Sequence, residues 1–204
     1  REAQIELGLE RVRSKTMAMH NSHDVGDTVA SMFDELVKFE VKTNRCGILI
    51  FSKSMMAEVW TARSNPDGKA SLIIGQLDLE MHPLLQGIYH AWEAKEPVFT
   101  YPMIGEDLIS YYQAINDTKY YPTLFDLDAL PLREFHTDFY FAEGSIFSFT
   151  KEPLAQKASV IFKRFAGVFG QTYKRYLDLQ KAEAQAREAQ IELGLERVRS
   201  KTMA

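Results

Sequence analysis

The sequence predicts an α+β domain: an antiparallel sheet of about six strands flanked by helices, with long terminal linker helices suited to coiled coils. Three observations carry this. Strand-like apolar runs come in hairpin pairs at both ends of the central region. Segments of helical periodicity separate them. An 18-residue helical segment, REAQIELGLERVRSKTMA, stands at residues 1–18 and recurs letter for letter at 187–204.

The elements follow in order. Residues 21–40 read as a helix, capped by Asn21 or Ser22 and with Asp24 in its first turn. Val25, Val29, Met32, Phe33 and Leu36 form its apolar stripe. The segment is expected to continue the incoming linker helix after a kink at His20–Ser22. Cys46–Ser52 and Ala57–Arg63 read as a hairpin, Asn65-Pro66-Asp67-Gly68 as a turn, and Ser71–Leu79 as a third strand. His82-Pro83 opens a helix carrying Leu84, Leu85, Ile88, Tyr89 and Trp92, ending near Lys95. Pro97–Thr100 gives a short strand, and Glu106–Ile115 a helix with Leu108, Ile109, Tyr112 and Ile115 inside. Pro122, Pro131 and scattered Asp make 117–134 a loop, before Phe135–Phe141 and Ile146–Thr150 form a second hairpin. A long helix begins near Leu154, with Pro153 at its entry. Ala158, Ile161, Phe165, Phe169, Thr172 and Tyr176 give it a stripe that packs on the domain.

The 186-residue period of the repeat exceeds any solenoid repeat, so the repeating unit is a domain with its linker. A native tandem array and an artificial duplication are the two origins; the smooth joining of each copy to its neighbours favours the array. The division is then linker 1–18, domain 19–186 (including the start of the long helix), and linker 187–204. The chain opens on Arg1 and reads as a piece of something longer.

Beyond Tyr176 the helix carries two seams. Leu179, Ala182, Ala186, Ala189 and Leu193 follow a 3-4-3-4 rhythm, as in a two-helix contact. Ile191, Leu195, Val198 and Thr202 follow another register, repeated in the first copy as Ile5, Leu9, Val12 and Thr16. One straight heptad cannot serve both. A parallel homodimeric coiled coil, about 39 Å long from Leu179 to Ala204 at 1.5 Å per residue, is the expected partner arrangement. Docking of this helix on its own domain is the rival. The two registers are expected to be alternative states of a relay.

Composition sets the remaining limits. With 204 residues, a net charge of −4, 46% hydrophobic residues and a single Cys, the chain is a folded domain without a disulfide framework or Cys-rich zinc module. The acidic balance argues against general nucleic-acid binding. No apolar run approaches the length of a membrane span.

The order of elements, with FYFAEGSIFSFTKEPL at 139–154, the helix from Arg164 onward and the ERVR linker at Glu10–Arg13 and Glu196–Arg199, resembles the GAF-like domains arrayed in bacterial multidomain sensor proteins, including histidine kinases. The resemblance implies a six-stranded antiparallel sheet with first and last helices together on one face. It also implies a cytoplasmic, non-enzymatic sensory or regulatory module of two-component type, in contact with neighbouring domains of its parent chain. A structural dimerisation spacer without ligand is the alternative. Phe33-Asp34-Glu35 lacks the upstream Asn-Lys of cyclic-nucleotide-binding members. Cys46, opening a strand, does not match the late cysteine of bilin-binding members and reads as a small buried hydrophobe.

No metal is assigned. His20 and His23 with Asp24 are explained by the helix entry, and His82 and His90 lack a third ligand. No catalytic motif stands out, and the cofactor is unknown. A possible small-molecule pocket lies between the sheet and residues 81–135. Its expected lining is Trp60, Tyr89, Trp92, Tyr101, Tyr112 and Tyr140, joined by Tyr111, with Arg63 or His136 to orient a polar group.

Overall fold

Alternating residues in RCGILIF, MAEVWTARS and GSIFSFT point to opposite sides of one sheet, and both sides are covered. The structure is a computed structural model that describes residues 2–20, 24–64 and 70–202. The strands are β1 (Arg45–Phe51), β2 (Met56–Ser64), β3 (Ala70–Asp78), β4 (Val98–Ile104), β5 (Arg133–Phe141) and β6 (Gly144–Thr150). They form one antiparallel sheet in the order β3-β2-β1-β6-β5-β4. The helices are α1 (Glu2–Met17), α2 (Asp24–Lys38), α3 (Pro83–Glu93), α4 (Glu106–Asp117) and α5 (Gln156–Thr202).

One face carries Cys46, Ile48, Trp60, Ala62, Phe139 and Ile146. It packs on α2 and α5 through Val25, Val29, Phe33, Phe162, Phe165 and Phe169. Cys46 is fully buried there, and burial pushes its thiol up. The other face carries Leu49, Val59, Phe147 and Phe149 under α3 and α4. Side chains i and i+2 of each strand serve the same face, so the chain builds two apolar layers from one sheet.

The predicted element order holds, with local differences. α1 and α2 do not form one kinked helix. Arg11 of α1 reaches Glu35 of α2 at 2.9 Å, and Gly8 lies against Phe39 and Glu35, so the two helices run antiparallel. The expected cap at Asn21 or Ser22, the His20–His23 pair and the turn at 65–68 involve residues outside those described. β4 extends past Thr100 to Ile104 despite Pro102, because it is an edge strand with one side unpaired. In α4 the buried positions are Leu108, Tyr111, Tyr112 and Ile115, while Ile109 faces outward. α5 also buries Phe162 and Tyr173, which widen its expected stripe.

α1 packs beside α5 in the same direction. Arg164 pairs with Glu2 at 2.7 Å and with Glu6, and the Gln180 side chain donates to the His20 carbonyl at 2.8 Å. From Leu177 to Arg199 every residue of α5 is exposed. Among the described residues no helix is long and apolar enough to cross a membrane.

Candidate functional site

The face of the sheet under α3 and α4 is mainly apolar, and its polar groups gather on and around β5. There Glu134, His136, Asp138 and Tyr140 alternate with Phe135, Thr137, Phe139 and Phe141, and the polar set points into the molecule. β5 is an inner strand with α5 on its other face, so these side chains meet protein instead of water. Arg45, opening β1, joins them. Its guanidinium lies 3.7 Å from the Phe149 ring centre, 4.9 Å from Phe125 and 5.1 Å from Tyr112.

Arg45 Nη2 is 3.7 Å from Glu134 Oε2, an ion pair with both side chains almost wholly buried. Asn44 donates to Glu134 Oε1 at 3.0 Å, and the Tyr112 hydroxyl donates to Oε2. Asp138, fully buried, is held by the His136 ring through Nε2 and by Ser145 Oγ at 2.7 Å. Burial pushes the Tyr111 and Tyr112 phenols up, so both remain protonated, neutral groups. For Arg45, burial favours charge loss, but the surrounding phenols and Glu134 outweigh it and its proton is held more tightly.

Two atoms of this cluster stand out. Arg45 Nη2 and His136 Nδ1 are buried and have no hydrogen-bond partner among the described residues. An unmet buried polar atom costs about 1–3 kcal/mol. Both residues line one cavity, with Leu49, Leu85, Tyr111 and Tyr121 among its walls. Its volume open to the centre of a water-sized molecule is about 20 Å³, little more than one water needs.

The cavity is closed by the loop that follows α4. The backbone of this loop crosses β3 at Gly75, where a Cβ would lie 2.6 Å from the Tyr120 carbonyl oxygen, and Gln76 N–H donates to that oxygen at 2.9 Å. Tyr121 then turns inward and its hydroxyl donates to Thr61 Oγ1 at 2.9 Å. Asn116 holds the Phe125 backbone through two bonds of 2.8 Å.

The residues expected to line one pocket are thus distributed over several places. His136 is in the cavity wall, and Tyr112 sits behind it on Glu134. Trp60 lies on the opposite face of the sheet, in the core with α2 and α5. Arg63 is half-buried near the sheet edge, its Nε 3.4 Å from Ser71 Oγ. Tyr89, Trp92 and Tyr140 form a separate aromatic group around Phe51 beside an outer groove. There Trp92 Nε1–H donates to the Ala142 carbonyl and the Tyr140 hydroxyl to that of Ile88. The Tyr101 hydroxyl donates to Asp107 at 3.2 Å, near His82, whose Nδ1 caps α3 and whose burial disfavours its charged form. Arg45, Glu134, Asp138, Tyr121 and Phe125 were not anticipated. The readable signal was the polar alternation in REFHTDFYF, on a strand whose other face is aromatic.

Ile5, Leu9 and Val12 of the N-terminal copy face α2 and α5 of their own chain. Leu179, Ala182, Ala186, Ala189, Ile191, Leu193, Leu195 and Val198 lie on the exposed part of α5. Among the described residues no group of three His, Cys, Asp or Glu side chains is placed to hold a metal ion.

One antiparallel sheet in this order, with first and last domain helices together on one face, defines a GAF-like α+β fold. The solved structure of a bacteriophytochrome from the photosynthetic bacterium R. palustris has the same fold. It superposes with a TM-score of 0.54 at 11% identity, over 93% of this chain and 40% of that one. The chromophore-binding domain of an unusual bacteriophytochrome from R. palustris gives a TM-score of 0.48 at 11% identity, over 87% of this chain and 62% of that one. No protein-family model and no curated protein matches the sequence. The chain thus has a GAF-like fold and spans 40% of the bacteriophytochrome it resembles in fold.

Proposed function

We propose that this is a non-enzymatic sensory module whose ligand enters the cavity between the sheet and α3–α4. The observation that carries the reading is the pair of buried nitrogens without a hydrogen bond, Arg45 Nη2 and His136 Nδ1, in the wall of one cavity. The ligand is a small aromatic or apolar molecule with one uncharged polar group. Charge bookkeeping favours that class. Arg45 already faces Glu134, and His136 faces Asp138. The two buried carboxylates already offset the cations beside them, so an added anion would leave a net buried negative charge. A carbonyl oxygen accepts from Arg45 without that cost.

The cavity admits such a molecule only if Tyr121 and the loop carrying it move outward. That movement is the signal: the ligand favours one arrangement of the loop and α4 over another, and only this differential affinity can drive a response. The response passes through the sheet to α5, which packs on the opposite face. The helices relay it to neighbouring domains of a two-component-type chain in the cytoplasm, as a homodimer paired along Leu179, Ala182, Ala186, Ala189 and Leu193.

Benzamide and benzoate test the ligand class, being matched in shape and different in charge. Thermal shift should show stabilisation by benzamide and little by benzoate. Arg45→Gln should abolish the effect and Tyr121→Ala should enlarge it. Native mass spectrometry of the purified protein then identifies the resident ligand. Stabilisation by neither probe, in the native chain or in Tyr121→Ala, would favour a spacer module instead.

A further inference from the structure

The same 18 residues occur twice in this chain in two different environments. In the N-terminal copy Leu9 is 4% exposed and Val12 1%; their counterparts Leu195 and Val198 are 54% and 64% exposed. Ile5 packs against the same core, whereas Ile191 is 58% exposed. The glycines differ in the same way. A Cβ on Gly8 would lie 2.5 Å from Phe39 Cζ and 2.7 Å from Glu35 Oε2, so any larger residue must displace these side chains where α1 approaches α2. A Cβ on Gly194 would meet nothing within 4 Å. Glycine there costs helix stability of about 0.8–1 kcal/mol relative to alanine and gains no contact in this chain.

From this we infer that residues 187–204 are a docking helix whose partner is a second copy of this domain. The helix lies along the α2–α5 surface of that copy in place of that copy's own α1, which fills the groove in this chain. The occupied surface is on the page: α1 shows what this sequence does when the groove is available. Ile191, Leu195 and Val198 take the places of Ile5, Leu9 and Val12, and Gly194 meets Phe39 of the second copy.

The docked copy also shows what docking leaves uncovered. Leu7 is 58% exposed although α1 is docked, and its counterpart Leu193 is 57% exposed. At 3.6 residues per turn, the Leu179–Leu193 seam lies about 170° around the helix from the Ile191–Val198 seam. The two seams are therefore opposite faces with separate tasks. One grips a domain while the other remains open for pairing between helices, and no change of register is needed to use both.

The test vacates the groove. In the full chain, Leu9→Asp with Val12→Asp displaces α1, and sedimentation velocity reads the mass. The variant should form assemblies larger than those of the unaltered chain. Adding Leu195→Asp and Val198→Asp should remove this gain, whereas adding Leu193→Asp should lower the mass only as far as it does in the unaltered chain. A folded, vacated variant with the mass of the unaltered chain overturns the inference.

If the vacated variant does not fold, two chains fused so that 187–204 of the first serves as 1–18 of the second decide the matter. In the single chain, Leu9→Ala should lower Tm by roughly 5–15 °C and Leu195→Ala should leave it unchanged. In the fused protein, Leu195→Ala in the shared segment should lower the melting of one domain by as much as Leu9→Ala does. If both transitions stay where they were, the inference fails. The same holds if the substitution only dissociates a dimer.

Discussion

Arg45 is a buried cation enclosed by three aromatic faces and one carboxylate, and its removal leaves Glu134 buried without its counter-charge. Arg45→Ala should therefore cost about 3–5 kcal/mol in urea unfolding. Arg45→Met with Glu134→Gln should recover most of it, because Asn44 and Tyr112 still have a partner and no charge is stranded. At this scale the sequence was only partly legible. His136 and Tyr112 were picked for their type and do belong to the cluster. Trp60 was picked for the same reason and lies on the other face, because position along a strand, not residue type, decides which side is reached. Glu134 and Asp138 carry no burial signal of their own, because only the sheet order makes β5 an inner strand covered on both faces.

Helices were more legible, since their stripes repeat over several turns. The buried apolar stripe of α2 and half of the buried positions of α5 follow directly from 3–4 spacing. The reversal between α1 and α2 was not legible, because helical composition does not state direction. Nor did one copy of the repeat reveal that it docks while the other does not. Gly8→Ala should destabilise the domain by about 1–3 kcal/mol through overpacking against Phe39. Gly194→Ala should raise the helicity of the exposed tail, read by circular dichroism, and leave domain stability unchanged.

The contact between α1 and α2 should also respond to acid. Burial raises the Glu35 carboxyl, but Lys38 at 2.7 Å and Arg11 at 2.9 Å bring it below its ordinary value of 4.5. A carboxyl lowered on folding contributes stability that is complete above its ordinary value and is lost as pH falls through the lowered one. Hydrogen exchange of α1 should therefore accelerate below about pH 4.5, and Glu35→Gln should remove that pH dependence while weakening the contact at neutral pH.

For the whole molecule, strand and helix order were enough for the antiparallel α+β class, and the family resemblance for the GAF-like fold. Hairpins at both ends require antiparallel neighbours, whereas the pairing of β1 with β6 that joins the two halves is long-range and was not legible. Dimerisation through the outer seam makes a separate expectation. Leu179→Asp with Leu193→Asp should halve the mass in sedimentation equilibrium with little change in Tm, because both residues are exposed on the helix beyond the domain.

The pairing of Arg164 with Glu2 and Glu6 has a geometric corollary. In an array docked in this way, Glu188 and Glu192 of one unit would sit beside Arg164 of the next. Successive long helices would then overlap like shingles, each displaced from the last by about 26 residues, or about 39 Å. A lengthwise slip of one helix would be felt by the next at full amplitude, and the pitch of the assembly would be that of the apolar seam, in the register where this arginine meets the two glutamates.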